Sequence, residues 1–424
     1  MASRSTALAF ASLLAIVAPA LAQQPVKAPP AGRAPAAAPA ADAPAAFERE
    51  IDSACYRRID RARFAQRLAQ LRAAAGDDIA AAAPSAVLAA ARIARESNDF
   101  AAALREYDAL IAGLPAADTR REAVTRERAV AAEEQALVAG GAARPAGGWL
   151  LTTLHDAPGP AGAAWRVGVW ARPDCSPFAF GDGESAIQLY RAAAAGAPLA
   201  RVGEPAPGTS GMTLLVNEDA WGVDLAGDGR PLLAFDEANG GNCGACVRLR
   251  LYRAGPDGLA EMRVEAPQFV VPQMIETVAP GRRVLLGTDT RWAFFGGTCH
   301  ACSPGVAVAF SWSGDRFTPS CRAEGDYFRR QAGELGQRPG DTAEERFGAV
   351  TSILLARTQA GEGEQAWKDY RNALAQLRRR PRTPRNAYAQ AERQLAEAYR
   401  AGAAAMAAAA CPVNALALGP PRRR

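Results

Sequence analysis

The sequence predicts an α+β protein in which two helical segments flank a strand-rich β domain. Residues 47–139 and 341–411 are rich in Ala, Leu, Arg and Glu, and they place apolar side chains at helical intervals. Residues 148–322 instead carry short runs in which apolar and polar side chains alternate, bounded by Gly, Pro, Asn and Asp. The period of the hydrophobic pattern changes twice along the chain, and the expected fold class follows from that change.

The first 22 residues have the composition of a secretory signal peptide. Arg4 precedes an apolar run over residues 7–18, and Ala20-Leu21-Ala22 supplies the small residues of a cleavage site. Cleavage would leave Gln23 where a lipoprotein carries Cys, so we expect no lipid anchor. No later apolar run is long enough to cross a bilayer. The sequence therefore predicts a secreted or periplasmic chain in a bacterial-type envelope, soluble after cleavage.

Two further segments have compositions that favour exposure to solvent. Residues 23–46 are almost entirely Ala and Pro, which predicts an extended linker. Residues 412–424 end in three arginines, which predicts a basic tail. The formal net charge of the whole chain, +5, is small and evenly mixed, so we expect no nucleic-acid partner.

One helical hairpin is predicted in each helical segment. Over residues 84–115, small side chains precede a turn at Asn98-Asp99, and an apolar face follows the turn. This stretch resembles a tetratricopeptide (TPR) hairpin, whose small, small, aromatic and proline positions match Ala91, Ala103, Tyr107 and Pro115. A similar hairpin is expected around Gly361-Glu362-Gly363, followed by Ala366, Trp367, Tyr370 and Ala373, with a further helix over residues 388–410.

The resemblance implies how the two helical segments are arranged. Repeats of this kind cannot bury their apolar faces alone, so two arms that pack on each other as one interrupted domain are expected. The alternative is two unrelated helical groups on either side of the β domain.

The β domain is expected to contain eight to ten strands. Alternating runs that predict strands occur at residues 165–170, 186–190, 212–216, 231–235, 247–252, 283–287 and 306–312. This number suits a sandwich, a barrel or a few propeller blades.

One turn narrows the choice of β architecture. Residues 223–235 resemble the Asp-rich turn and following strand of FG-GAP and VCBS propeller repeats, which are extracellular or envelope modules that sometimes bind calcium. The resemblance implies Asp224 and Asp228 as calcium ligands. Ala226 stands where the family pattern has Asn or Asp, and Phe235 stands where an EF-hand has Glu. An Asp-Gly turn without metal is the alternative to the calcium site.

A signal peptide implies an oxidising compartment, in which the eight cysteines are expected to form structural disulfides. Two CxxC motifs, Cys243–Cys246 and Cys299–Cys302, are expected to form disulfides within each motif or across the two loops. Four thiolates could instead hold zinc. A thiol–disulfide oxidoreductase is a third alternative, although neither motif begins a predicted helix. From position alone, we expect Cys175 to pair with Cys321 and Cys55 with Cys411.

The remaining chemistry in the sequence is sparse. His155 precedes Asp156, and the only other histidine, His300, lies inside a CxxC motif. The chain has no nucleophile elbow, phosphate loop, dinucleotide fingerprint or zinc-protease motif. Core packing is the favoured role for the tryptophans of the β domain, among them Trp165, Trp170, Trp221, Trp292 and Trp312. Arg248 and Arg250 share one strand face and suit either solvent or an acidic partner.

These observations predict a non-enzymatic protein that binds or scaffolds an envelope protein or cell-wall component, stabilised by disulfides and without a cofactor. The alternatives are a zinc- or calcium-binding envelope module, a thiol–disulfide oxidoreductase and a hydrolase. A hydrolase would use paired carboxylates or His155.

Overall fold

The computed structural model describes residues 43–53, 58–142, 144–145, 148–159, 163–172, 184–194, 197–239, 246–338, 340–379 and 388–418. The predicted signal peptide and nearly all of the predicted linker lie outside these ranges, as do Cys55, Cys175 and Cys243. Within them, ten α-helices and twelve β-strands follow one another as helices, strands and helices. The predicted α+β class is confirmed.

The N-terminal helices occupy the predicted segment, although the first begins a few residues early, inside the predicted linker. They are α1 Ala43–Ser53, α2 Arg61–Ala75, α3 Ile79–Ala82, α4 Pro84–Glu96, α5 Phe100–Gly113 and α6 Thr119–Ala139. The Asp99 carboxylate accepts the Ala102 N–H and thereby caps α5. Helices α4 and α5 form the predicted hairpin, with Ala103 and Tyr107 fully buried between the helices.

The strands form three antiparallel sheets, each made of four consecutive strands. The first sheet contains β1 Leu150–Ala157, β2 Ala164–Arg172, β3 Glu184–Ala192 and β4 Leu199–Pro207. The second contains β5 Thr213–Val216, β6 Leu233–Ala238, β7 Val247–Gly255 and β8 Gly258–Glu261. The third contains β9 Val270–Ala279, β10 Arg282–Asp289, β11 Ala307–Trp312 and β12 Phe317–Pro319. None of the three is closed into a barrel within the described ranges.

The second sheet lies between the other two. Val167 and Leu189 of the first sheet pack with Phe235 of the second in one hydrophobic cluster. Leu251 of the second sheet packs with Phe310 of the third in another cluster, which side chains of the helices that follow also join. Two continuous cores therefore hold the three sheets together.

The C-terminal helices begin earlier than predicted. They are α7 Gly325–Gln337, α8 Ala343–Gln359, α9 Gly363–Arg378 and α10 Ala389–Ala408. Helix α7 precedes the predicted segment, and α8 and α9 form the predicted hairpin. Val413 and Leu416 are almost completely buried, so the start of the predicted basic tail belongs to the core. No helix in the described ranges is long and apolar enough to span a membrane.

The two helical arms have separate cores among the described residues. The N-terminal cluster contains side chains of the first six helices, such as Phe47 and Tyr107. The C-terminal cluster contains side chains of α8, α9, α10 and the loop before β11, such as Leu374 and Leu395. The expectation that the arms pack on each other is therefore wrong, and two helical groups flank the β domain. Each arm instead finds partners in the adjacent sheet or loop.

Candidate functional site

The second CxxC motif lies in the loop between β10 and β11. Cys299 and Cys302 form a disulfide across a four-residue turn. The Cys302 N–H lies 3.1 Å from the Cys299 carbonyl oxygen and also 3.1 Å from the Cys299 Sγ. Cys299 is exposed and Cys302 is half-buried. Cys299 therefore faces solvent, whereas Cys302 lies against the protein.

Helix α8 fixes this loop in place. The helix starts at a capping box in which Thr342 and Glu345 satisfy each other's backbone N–H groups. One turn later, a Cβ atom at Gly348 would lie only 2.1 Å from the Cys302 carbonyl oxygen, so the loop and the helix approach more closely than any side chain permits. The Ser352 hydroxyl accepts the Gly305 N–H at 2.9 Å. Helix α8 therefore holds the CxxC turn in a fixed position.

Glu344 in the first turn of α8 completes the site. Its Oε2 accepts the Cys299 N–H at 3.2 Å, and its carboxylate lies within 4.8 Å of both sulfurs. Two thiolates and a carboxylate form a donor set that zinc accepts. In the oxidised form the two sulfurs are bonded to each other, so this donor set fits zinc only after reduction.

An exposed aromatic side chain lies beside the disulfide. Phe294 is 59% exposed and adopts a left-handed backbone conformation with φ of 59°. Its N–H donates to the Ser303 hydroxyl at 2.7 Å, and its ring centroid lies 5.5 Å from that of His300. The backbone conformation costs about 1–2 kcal/mol for a residue with a side chain. The fold therefore holds an apolar ring out in solvent against its intrinsic preference.

The predicted calcium turn is filled by donors of the protein itself. The Asp224 carboxylate accepts N–H groups of Gly227 and Gly229 at 2.9 and 2.8 Å. Asp228 pairs with the Arg253 guanidinium at 2.8 Å. A cation at this position would have to displace that guanidinium, so the arrangement fits an Asp-Gly turn and does not fit a calcium site.

The other described cysteines are also oxidised. Cys321, at the end of the β domain, pairs with Cys411 after α10, and both are buried. Cys246 is also in a disulfide. The predicted pairings of Cys55 with Cys411 and of Cys175 with Cys321 are therefore wrong. Those pairings rested only on position along the chain. In the structure, Arg322 beside Cys321 donates to the Met406 and Ala409 carbonyl oxygens at the end of α10, and this contact brings Cys411 next to Cys321.

The other sequence candidates belong to structural contacts. The Nδ1 of His155 lies 3.6 Å from a Glu218 oxygen, at the edge of an aromatic contact with Trp221. Arg248 pairs with Glu237 at 2.7 Å, and Arg250 binds Glu237 as well. Their strand face therefore carries an ion-pair network around the buried Glu237, in which Arg248 remains exposed. Of the tryptophans that the sequence placed in the β-domain core, Trp165, Trp170 and Trp292 are almost completely buried.

A buried charge network in the N-terminal arm has no signal in the sequence. Arg95 is fully buried, and its Nε donates to Glu134 at 2.9 Å. It also donates to the Tyr107 hydroxyl at 3.2 Å and to the Leu151 carbonyl of β1 at 2.8 Å. Burial lowers the pKa of Arg95, but Tyr107 and Glu134 outweigh it and hold that pKa above its ordinary value. Helical spacing alone would have placed these charges in solvent.

The chain matches no protein-family model, no curated protein and no solved structure.

Proposed function

We propose that this chain is a secreted or periplasmic, non-enzymatic protein that binds or scaffolds another envelope protein through the surface around Phe294. The observation that carries the proposal is the exposed Phe294 ring, held in a left-handed conformation beside His300. Aromatic side chains, phenylalanine included, are enriched at the cores of protein interfaces. A strained backbone that exposes such a side chain is more readily explained by function than by stability.

The anchoring of this surface supports the same role. A recognition residue needs a fixed position, because ordering a mobile loop on binding costs affinity. The loop is fixed by the Phe294 N–H, by the Cys299–Cys302 disulfide and by its contacts with Gly348 and Ser352. The aromatic ring is therefore presented on a rigid support.

The architecture we propose for the rest of the chain follows from its layout. The β domain consists of three successive four-stranded meanders, and a propeller blade is a meander of this kind. The two helical hairpins bury small and aromatic side chains, as TPR-like hairpins do. Such folds commonly present extended binding surfaces. This interpretation supports a scaffold more than it supports a catalyst.

A photocrosslinking amino acid at position 294 of the exported chain tests the binding role. We expect it to crosslink to an envelope protein. The same amino acid at Leu215, which is 55% exposed on β5, is the control for a merely apolar surface. Equal crosslinking from both positions, or none from 294, would refute the proposal. Crosslinking to peptidoglycan alone would replace the protein partner with a cell-wall component.

Phe294→Gly separates binding from folding. Glycine adopts positive φ without penalty, so we expect the variant to be as stable as the parent or more stable by up to about 1 kcal/mol. It should nevertheless lose the partner. A variant that melts earlier and keeps the partner would show that Phe294 serves the fold.

A zinc-binding module is the second candidate, favoured by the Cys299, Cys302 and Glu344 donor set. A disulfide map and a metal analysis of the same sample, exported to an oxidising compartment, distinguish the two. Oxidised, metal-free cysteines support the binding role. Reduced cysteines around stoichiometric zinc support the metal module.

A further inference from the structure

The Cys299–Cys302 disulfide differs in its surroundings from the other disulfide whose two cysteines are both described. Cys321 and Cys411 are 0% and 3% exposed, so a thiolate cannot reach them without local unfolding. Cys299 is exposed, and the loop that its disulfide closes spans only three residue steps. Closing so short a loop removes less chain entropy than the Cys321–Cys411 disulfide does, so Cys299–Cys302 contributes less to stability. Its position suits exchange chemistry better than stapling.

The two sulfurs of this disulfide are not equivalent. Cys299 is open to solvent, whereas Cys302 is half-buried with its carbonyl oxygen directly over Gly348. The Cys302 N–H is shared between the Cys299 Sγ and the Cys299 carbonyl oxygen, each 3.1 Å from the nitrogen. A backbone donor at that distance stabilises a thiolate on Cys299. Accessibility and thiolate stabilisation therefore favour the same sulfur.

We infer that Cys299–Cys302 is a redox-active disulfide that accepts two electrons from a dithiol protein, with Cys299 as the exchanging residue and Cys302 as the resolving residue. In the first step, a thiolate of the dithiol attacks the Cys299 Sγ. The bond between the two protein sulfurs breaks, and Cys302 leaves as a thiolate that takes a proton from water.

In the second step, the other thiolate of the dithiol attacks its own partner sulfur in the mixed disulfide. Cys299 leaves as a thiolate held by the Cys302 N–H, and the dithiol is left as a disulfide. Two electrons have moved to this chain, and Cys299 and Cys302 are both reduced. The reverse sequence oxidises the pair again through the same mixed disulfide at Cys299.

Glu344 sets the balance of this exchange. Its carboxylate lies within 4.8 Å of both sulfurs, and a fixed negative charge at that distance repels an attacking thiolate and a departing one. The carboxylate therefore slows exchange with any thiolate. Glu344→Gln removes the charge and keeps the shape of the side chain, so reduction should become about fourfold faster.

The experiment measures the reduction of each disulfide in the folded full chain. The protein is incubated with reduced glutathione in the presence of EDTA, quenched with acid, alkylated and mapped by peptide mass spectrometry. We expect Cys299 and Cys302 to be alkylated at least about tenfold faster than Cys321 and Cys411. Equal rates for the two pairs would overturn the inference.

Single-cysteine variants test the assigned roles. With oxidised glutathione, Cys302→Ser should form a mixed disulfide at Cys299 at least about tenfold faster than Cys299→Ser forms one at Cys302. Thermal unfolding of both variants verifies that they are folded. Equal rates, or faster reaction at Cys302, would contradict the roles. This test needs no binding partner, so its result is separate from that of crosslinking at Phe294.

Discussion

Replacement of Arg95 with methionine tests whether the buried charge network stabilises the N-terminal arm. Methionine fills much of the same volume but removes the charge and every donor. The change deprives Glu134, Tyr107 and the Leu151 carbonyl of their contacts with the guanidinium. Removing one partner of a buried pair typically costs about 3–5 kcal/mol. We expect about 3 kcal/mol, because Arg144 remains 2.6 Å from the other Glu134 oxygen.

The assay must separate the arm from the rest of the chain. Residues 43–142 contain no tryptophan, whereas the β domain and the C-terminal arm do. Urea unfolding followed by circular dichroism at about 222 nm reports all helices, and tryptophan fluorescence reports the other parts. For Arg95→Met we expect the circular dichroism transition to move to lower urea and to separate from the fluorescence transition. Amide exchange in β1 should also accelerate, because Arg95 binds its Leu151 carbonyl.

A control variant removes an arginine of the same arm whose ion pair is exposed. Arg126 pairs with Glu122 one turn away on α6, with 69% and 78% of the two side chains exposed. Arg126→Met should cost less than about 0.5 kcal/mol. In the double variant Arg95→Met/Glu134→Gln, the combined cost should fall short of the sum of the single costs by about 1.5 kcal/mol or more. A cost for Arg95→Met that matches the control would refute the reasoning.

Three further changes probe other parts of the fold. Gly348→Ala should destabilise the protein by about 1–3 kcal/mol, because its Cβ would overlap the CxxC loop. Gly333→Ala is the control: it has open space around it in α7 and should stabilise the protein by about 0.5–1 kcal/mol. Thermal unfolding of the two variants measures the difference. Replacing Cys321 and Cys411 with alanine opens a loop of 90 residue steps and should lower the free energy of unfolding by about 4–5 kcal/mol, measured by urea unfolding. A smaller loss would show that packing, not the disulfide, stabilises this part of the chain. Burial raises the pKa of Glu237, but the Thr209 N–H and the Arg248 guanidinium outweigh burial, so this pKa lies below its ordinary value. The carboxylate therefore stabilises the fold at neutral pH, and this contribution is lost as the pH falls through the folded pKa. Glu237→Gln should therefore cost about 1–2 kcal/mol at pH 7, and this cost should shrink as the pH falls into the acid range. A cost independent of pH would contradict this sign.

The sequence was sufficient for strands with a clear alternating pattern. The alternation from Val306 to Trp312 predicted β11, in which Val308 and Phe310 are fully buried, as is Ala309 between them. Strand β4 was missed because Gly203, Pro205 and Pro207 read as a loop, yet an edge strand tolerates them. Local pattern is therefore a poor guide at the edge of a sheet.

Tertiary contacts explain the other omissions. Helix α7 contains three glycines within 13 residues, which argues against a helix, but packing of Tyr327, Phe328 and Ala332 against the third sheet overrides that propensity. At the candidate site, the two cysteines were evident from their spacing. Glu344 and Gly348 were not, because they lie more than 40 positions away in the sequence and reach the loop only through the fold. Arg95 was missed because charge on a helix normally indicates solvent.

The disulfide between Cys321 and Cys411 turns the C-terminal arm into a covalently closed segment. A single peptide-bond cleavage anywhere between these two positions leaves both fragments attached to each other. Under non-reducing conditions such a nicked chain keeps the mass of the intact protein, increased by one water, and separates into two pieces only when the disulfide is reduced. One proteolytic cut in α8, α9 or α10 would therefore not release the arm from the β domain.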